Sequence, residues 1–306
     1  MAKTLADLRK SRLRRQELKE KYGGEIPESV WVAVVDRTAQ DDTPRQTQQS
    51  VERHLKKGID PRVAKTFGTS GMNVRDGKGA LSKFPANICR RVVQFYSEPG
   101  DIVLDPCAGY NSRMQVTFGQ DRNYIGYDVC HEFMEFNREL AEWLYKDRDS
   151  QLLATNQKAS ILLHEQSSEQ MEEADNTVDL VFTSPPYWDV EFYDDNPSQL
   201  GYKKTYEEFL DGMQRVGAEC FRVLKPGKLC VFNVADFRKD RFYMYHADLV
   251  DRFLKVGFAL FDVVIMVWST IAIRSMFADV TEKTKVTGKT HEYILVFKKQ
   301  EKGKMK

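Results

Sequence analysis

Nothing in the chain approaches the roughly 18 uninterrupted apolar residues that a membrane-crossing helix requires. The opening Met1-Ala-Lys-Thr-Leu-Ala-Asp-Leu-Arg-Lys10 also lacks the apolar core of a secretory signal. A soluble, cytoplasmic protein is therefore expected. Cysteine is sparse: Cys89, Cys107, Cys130, Cys220 and Cys230 form no Cys-x-x-Cys pair and have no histidine at metal-ligand spacing. That argues against a disulfide framework and against a structural zinc site, so they read as reduced core residues and no metal is expected. Internal repeats and low-complexity tracts are missing too. So is the Gly-x-Gly-x-x-Gly string that cradles a pyrophosphate, which argues against a dinucleotide cofactor.

With 306 residues, 42% of them hydrophobic, the chain has enough apolar material for one large domain or two small ones. Its formal net charge of +1 argues against a wholly basic nucleic-acid coat, yet that charge is unevenly placed. Residues 1–21 carry a net +5 and residues 268–306 another +5, leaving −9 between them. Basic ends of this kind could supply phosphate contacts if the fold brings them to one face; solubilising termini are the alternative.

Residues 1–21 hold no Gly or Pro and read as a helix that Gly23, Gly24 and Pro27 end. The stretch 36–79 is polar and glycine-rich, an irregular segment with one short helix expected near 50–57. From Lys83 onward, apolar runs alternate with amphipathic stretches, the mark of an α/β sheet. The expected strands are 102–104, 124–127, 161–163, 178–182, 229–234, 259–267 and 293–297. Helical periodicity covers 86–96, 132–145, 206–223 and 247–256.

Ligands of such sheets sit at the carboxyl ends of strands, and three of those positions carry chemistry. Asp105-Pro106-Cys107-Ala108-Gly109 ends the first run in a turn of small residues, with a carboxylate placed for a ligand amine. A tight turn with a helix-capping Asp is the bland reading of the same residues. Asp128 ends the next run about 20 residues later, a spacing that suits an acid on ribose hydroxyls. Thr183-Ser184-Pro185-Pro186-Tyr187-Trp188 ends a third. Its two prolines fix the backbone and remove two N–H donors, leaving carbonyl and hydroxyl oxygens to accept from an NH₂ group, with two aromatic rings beside them.

Asp105–Gly109 together with Thr183–Trp188 resembles the DNA amino-methyltransferases, which methylate N4 of cytosine or N6 of adenine with S-adenosylmethionine. The resemblance runs from about Ser82 to Lys299 and includes Lys83-Phe84-Pro85 with the helix after it, the segment from Gln199-Leu-Gly201 to Glu208, Arg222-Val-Leu-Lys-Pro-Gly227 and His291-Glu-Tyr-Ile-Leu-Val-Phe297. It implies an α/β fold of the Rossmann-like S-adenosylmethionine-dependent methyltransferase type, a seven-stranded mixed sheet whose last strand runs antiparallel. With the residue pattern outside that span, the expected organisation is an N-terminal helix and irregular arm over 1–81 that could contact DNA, a catalytic domain over 82–300, and a basic tail over 301–306.

Carried onto this chain, the resemblance places Phe84 and Pro85 beside the methionine part of the cofactor. Asp105 and Gly109, with Pro106, Cys107 and Ala108 between them, would hold its amino-acid portion. Asp128 would hold the ribose and Ser167 would lie near the adenine. The chain departs from the family in having Gln166 where an acid is usual, and Cys107-Ala-Gly-Tyr-Asn-Ser112 in place of Phe-x-Gly-Ser-Gly. Ser184, Pro185, Pro186 and Tyr187 would form the catalytic turn. A serine at its first position leans toward N4-cytosine, with N6-adenine the alternative and a catalytically inactive DNA-binding relative a further one. A cytosine-C5 enzyme would need a thiol facing the base, and Cys107 lies in the cofactor turn instead. DNA is the implied partner, in the manner of restriction-modification systems, with room for a homodimer and for a companion nuclease. Since little follows Phe297, target recognition is expected from the arm, from the loop 188–204 with Trp188, or from the connection 269–290, which carries Arg274, Lys283, Lys285 and Lys289.

Overall fold

Residues 178–183 are buried at every position, and so is most of 229–234, as befits strands covered on both faces rather than on one. A computed structural model of the chain describes residues 16, 17, 20, 28–33, 84–109, 112–151, 158–189, 196–268, 283–287 and 289–301. The strands are β1 (Val30–Ala33), β2 (Ile102–Asp105), β3 (Asn123–Asp128), β4 (Ile161–Glu165), β5 (Val178–Thr183), β6 (Leu224–Val234), β7 (Phe237–Arg238), β8 (Phe242–Tyr243), β9 (Ala259–Trp268) and β10 (His291–Lys298). The helices are α1 (Ala86–Tyr96), α2 (Ser112–Gly119), α3 (His131–Gln151), α4 (Tyr206–Val223) and α5 (Tyr245–Val256).

Eight strands form one sheet in the order β1-β9-β10-β6-β5-β2-β3-β4, while β7 and β8 pair separately as a small hairpin. Only β10 runs antiparallel to its neighbours, β6 and β9; every other pairing in the large sheet is parallel. Among the described residues the sheet therefore has eight strands rather than the expected seven. The additional one is β1, in which Trp31 and Ala33 are buried while Val30 and Val32 face outward. Four residues between polar segments give too short a periodic run to reveal a strand, and only the pairing with β9 makes it one.

Both faces are covered. Helix α1 turns Ile88, Cys89, Val92 and Val93 onto Val103, Leu180, Phe182, Val231 and Ile294. Helices α4 and α5 cover Leu104, Val181, Phe232, Leu295 and Phe297 on the other side. Burying each such side chain contributes about 1.5–3 kcal/mol. Helix α4 starts at a reciprocal cap in which Glu208 N–H donates to Thr205 Oγ1 and Thr205 N–H donates to Glu208. Helix α5 stops at Gly257, whose φ of 115° favours glycine.

Among the described residues no helix is long and apolar enough to cross a membrane. Of the expected N-terminal helix only Gln16, Glu17 and Glu20 are described, in helical conformation. The helix near 50–57, the irregular segment 36–79, Lys83, Arg274 and the tail beyond Glu301 lie outside the described residues.

Candidate active site

The carboxyl ends of β2, β3, β4, β5 and β9 and the start of β10 meet along one edge of the sheet, around a cleft of about 1140 Å³ that includes its mouth open to solvent. Phe84, Pro85, Pro106, Cys107, Gly109, Asp128 and Ser167 line it, and so do Ser184, Pro185, Pro186 and Tyr187. Three strand-end motifs far apart in sequence thus share a single cavity.

Asp105 does not reach that cavity, which corrects the expectation that it grips the cofactor. It is wholly buried, and its carboxylate accepts from Arg113 Nε at 2.6 Å, Thr183 Oγ1 at 2.7 Å, the Tyr124 hydroxyl at 3.0 Å and the Cys107 amide at 3.3 Å. Arg113 continues the network by donating to the carbonyls of Cys107 at 2.7 Å and Ala108 at 3.1 Å. Burial is the largest single influence and would depress the guanidinium's pKa, but the charge and hydrogen bond of Asp105, together with Tyr124, outweigh it and hold Arg113 above its ordinary value. Asp105 is therefore a hub that ties the end of β2 to the end of β5 and braces the turn after β2. Ala108, also expected at the cofactor, is buried and absent from the cleft wall.

Glycine at 126 makes the hub geometrically possible. Asp105 and Gly126 are register partners on β2 and β3, and a Cβ at 126 would lie 2.7 Å from Tyr124 Cε1. The Tyr124 ring thus passes over Gly126 to reach the carboxylate.

Asp128 does face the cleft. Its Oδ2 accepts from the Gly109 amide at 2.8 Å and its Oδ1 from the Cys130 amide at 2.9 Å, so the acid at the end of β3 fixes the turn after β2. Gly109 adopts φ of 50°, in the left-handed region. Burial pushes the Asp128 carboxyl up to about 6, with the two amides pulling the other way. Cys107 lines the cleft as well, and burial raises its thiol well above the usual range. A protonated thiol is a poor nucleophile, which is consistent with setting aside a covalent cysteine mechanism.

In the turn after β5, Ser184 Oγ has no hydrogen-bond partner among the described residues and lies on the cleft wall. The Tyr187 ring stands edge-on to Phe237 at 6.1 Å and to Tyr245 at 6.0 Å, and the Lys289 ammonium lies 6.0 Å from its centroid. Lys289 also donates to the carbonyl of Asp236, and desolvation lowers its pKa. Lys283 and Lys285 are exposed on the same connection, away from the cleft wall. Trp188, expected to touch the substrate, is not part of that wall. Its indole N–H donates to the Lys203 carbonyl at 2.8 Å, and its ring packs on Tyr206 and Tyr243.

Sequence reasoning missed several lining residues, notably Arg113, Phe133, Trp268 and Glu292. Arg113 directly follows the turn's departure from the family pattern, and Glu292 lies in the motif opening the last strand; both signals were present in the chain but pointed to no ligand.

A family model described as DNA methylase matches residues 4–139 and 178–306. The Type II methyltransferase M.MthZI of Methanothermobacter thermautotrophicus is 27% identical over 154 residues, 44% of this chain and 43% of that protein. M.MwoI, a Type II methyltransferase of Methanothermobacter wolfeii, is 28% identical over 130 residues, 39% of this chain and 19% of that protein. The chain thus matches less than half the length of either relative. A solved structure from Thermus thermophilus, provisionally named a DNA modification methylase and complexed with S-adenosyl-L-methionine, is 33% identical over 44% of this chain and 53% of that chain, with a TM-score of 0.32.

Proposed function

Because the chain belongs to the N6/N4 DNA methylase family, we propose that it transfers a methyl group from S-adenosylmethionine to an exocyclic amino nitrogen of a DNA base, and specifically to N4 of cytosine. The observation that carries this reading is the single cleft in which Asp128 and the Ser184–Tyr187 turn meet.

The cleft suits an adenosyl donor. Asp128 is bonded only to two amides and makes no ion pair among the described residues, so its remaining lone pairs are available to ribose hydroxyls. Val129 and Phe133 offer an apolar side for a purine, and Gln166, Ser167 and Ser168 offer polar groups at its edge. Phe84 and Pro85 complete the wall and border the methionine part of the donor in this reading. When bound, S-adenosylmethionine supplies an electrophilic methyl group on a sulfonium, which an amine can attack without a covalent enzyme intermediate.

The chain's own residues then hold the amine. Ser184 Oγ and the Pro185 carbonyl accept its two hydrogens, concentrating the nitrogen lone pair for attack, while the Tyr187 ring stacks on the base. Holding reactants in line supplies about 7–11 kcal/mol of barrier lowering in the best cases. Stacking contributes about 1–3 kcal/mol toward the few kcal/mol that extruding a base from a duplex costs. The serine at position 184 supports N4-cytosine over N6-adenine as the target. Digestion of methylated DNA to nucleosides, with chromatography and mass spectrometry, tests the assignment: N4-methyldeoxycytidine is the expected product. N6-methyldeoxyadenosine would overturn the choice of base, and 5-methyldeoxycytidine the mechanism.

A further inference from the structure

Glu292 is the second carboxylate of the cleft wall among the described residues, and the mechanism above leaves it without a task. It opens β10, on the opposite flank of β5 from Asp128, so it belongs to the half of the cleft that holds the Ser184–Tyr187 turn. Its two oxygens are held separately: Trp268 Nε1 donates to Oε1 at 2.9 Å, and Asn233 Nδ2 donates to Oε2. Both donors are neutral and no ion pair to Glu292 occurs among the described residues; the Lys289 ammonium feels its charge without pairing with it. The carboxylate is thus oriented but not neutralised. Each oxygen keeps a lone pair.

Asn233 bears a cost for this. It is 1% exposed, and its own Oδ1 is buried with no partner among the described residues. An unpaired buried carbonyl costs about 1–3 kcal/mol. The amide is oriented to serve Glu292 at the expense of its own oxygen.

The chemistry supplies the missing task. Methylating an amine leaves a surplus proton on the nitrogen, and neither a serine hydroxyl nor a prolyl carbonyl is a base strong enough to keep it. Resting on the function proposed above, we propose that Glu292 is a catalytic residue, the general base that takes the proton released as the target amine is methylated. The amine nitrogen forms its bond to the methyl carbon as the carbon–sulfur bond breaks and its electron pair passes to sulfur. One N–H bond then breaks, its electrons return to nitrogen, and the proton passes to a Glu292 oxygen directly or through one water. The products are the N-methyl base, a neutral thioether and a carboxylic acid that later loses its proton to solvent.

Glu292→Gln is well suited to a test because Asn233 can flip its amide, offering the now unpaired Oδ1 to the glutamine NH₂. The fold is thereby kept, and unchanged melting and tryptophan fluorescence would verify it. With saturating S-adenosylmethionine and substrate duplex, the single-turnover transfer rate should fall by about 10²–10⁴-fold, the usual range for losing a general base. The dissociation constants for S-adenosylmethionine and for the duplex, measured without turnover, should stay within about threefold. Glu292→Ala should lose the rate similarly and recover part of it with sodium formate, but not with sodium chloride. An undiminished rate in Glu292→Gln would overturn the proposal. So would a loss explained by weaker binding of either ligand, or an alanine variant that formate does not rescue. A wild-type protein that binds S-adenosylmethionine but methylates no DNA would instead overturn the function on which the proposal rests.

Discussion

Replacing Asp105 by Asn separates a structural acid from a ligand-binding one. Its carboxylate collects four donors within 3.3 Å, one of them the guanidinium of Arg113, and the two side chains are 1% and 7% exposed. Asparagine keeps one acceptor oxygen, turns an NH₂ toward a donor and leaves Arg113 buried without its counter-charge. Removing one partner of a buried pair costs about 3–5 kcal/mol, a large share of the ordinary 5–15 kcal/mol of a folded domain. At about 2–4 °C per kcal/mol for a domain of this size, the melting temperature should fall by roughly 6–20 °C. Urea unfolding gives the free energy and calorimetry the melting temperature. Titration of S-adenosylmethionine well below the transition should then find affinity reduced only as far as the turn at Cys107 and Ala108 loosens. An unchanged urea midpoint together with lost affinity would mean that the carboxylate reaches the ligand, and the hub would be refuted.

Two further outcomes follow from the same edge of the sheet. Gly126→Ala should push the Tyr124 ring off Asp105, because the added Cβ would sit 2.7 Å from Cε1; overpacking of this kind costs about 1–3 kcal/mol, and an unshifted urea midpoint would contradict it. Asp128, with its carboxyl pushed up to about 6, is ionised at pH 7 and above and becomes protonated as pH falls through 6. Affinity for S-adenosylmethionine should therefore be flat above about pH 7 and weaken below 6, whereas Asp128→Asn should bind weakly with no such dependence; a wild-type affinity unchanged down to pH 5 would remove Asp128 from the site. The sign for stability is opposite. The folded state binds this proton more tightly than the unfolded chain does, so the group disfavours the ligand-free fold as pH rises through 6.

The fold was readable where a run of apolar residues fixes its own period. All seven expected strands form, and helices α1 and α4 start and stop where periodicity put them; the antiparallel run of the last strand was implied by the family resemblance and not by periodicity. Strand β1 was hidden because a four-residue strand owes its existence to a partner 235 positions along the chain, Val30 to Ile265. The cleft was legible in Asp128 and in Ser184–Tyr187, since strand ends in a parallel sheet converge. Asp105 was misread for a physical reason. A carboxylate at a strand end looks the same in sequence whether its lone pairs face a ligand or are consumed by Arg113, Thr183 and Tyr124, and those partners are assembled only by the tertiary fold. Trp188 was misread likewise: an aromatic after the motif packs on Tyr206 and Tyr243 once α4 is in place.

The most direct test of the account pairs two measurements on one variant, Tyr187→Ala. Tyr187 lines the cleft as part of the turn assigned to the base. Loss of its stacking should lower single-turnover methylation of duplex DNA by about 5- to 150-fold, the equivalent of 1–3 kcal/mol, while the dissociation constant for S-adenosylmethionine stays within about twofold of wild type. A variant that methylates DNA at the wild-type rate, or that loses S-adenosylmethionine and methylation in equal measure, would contradict a cleft divided between a methyl donor and an amine.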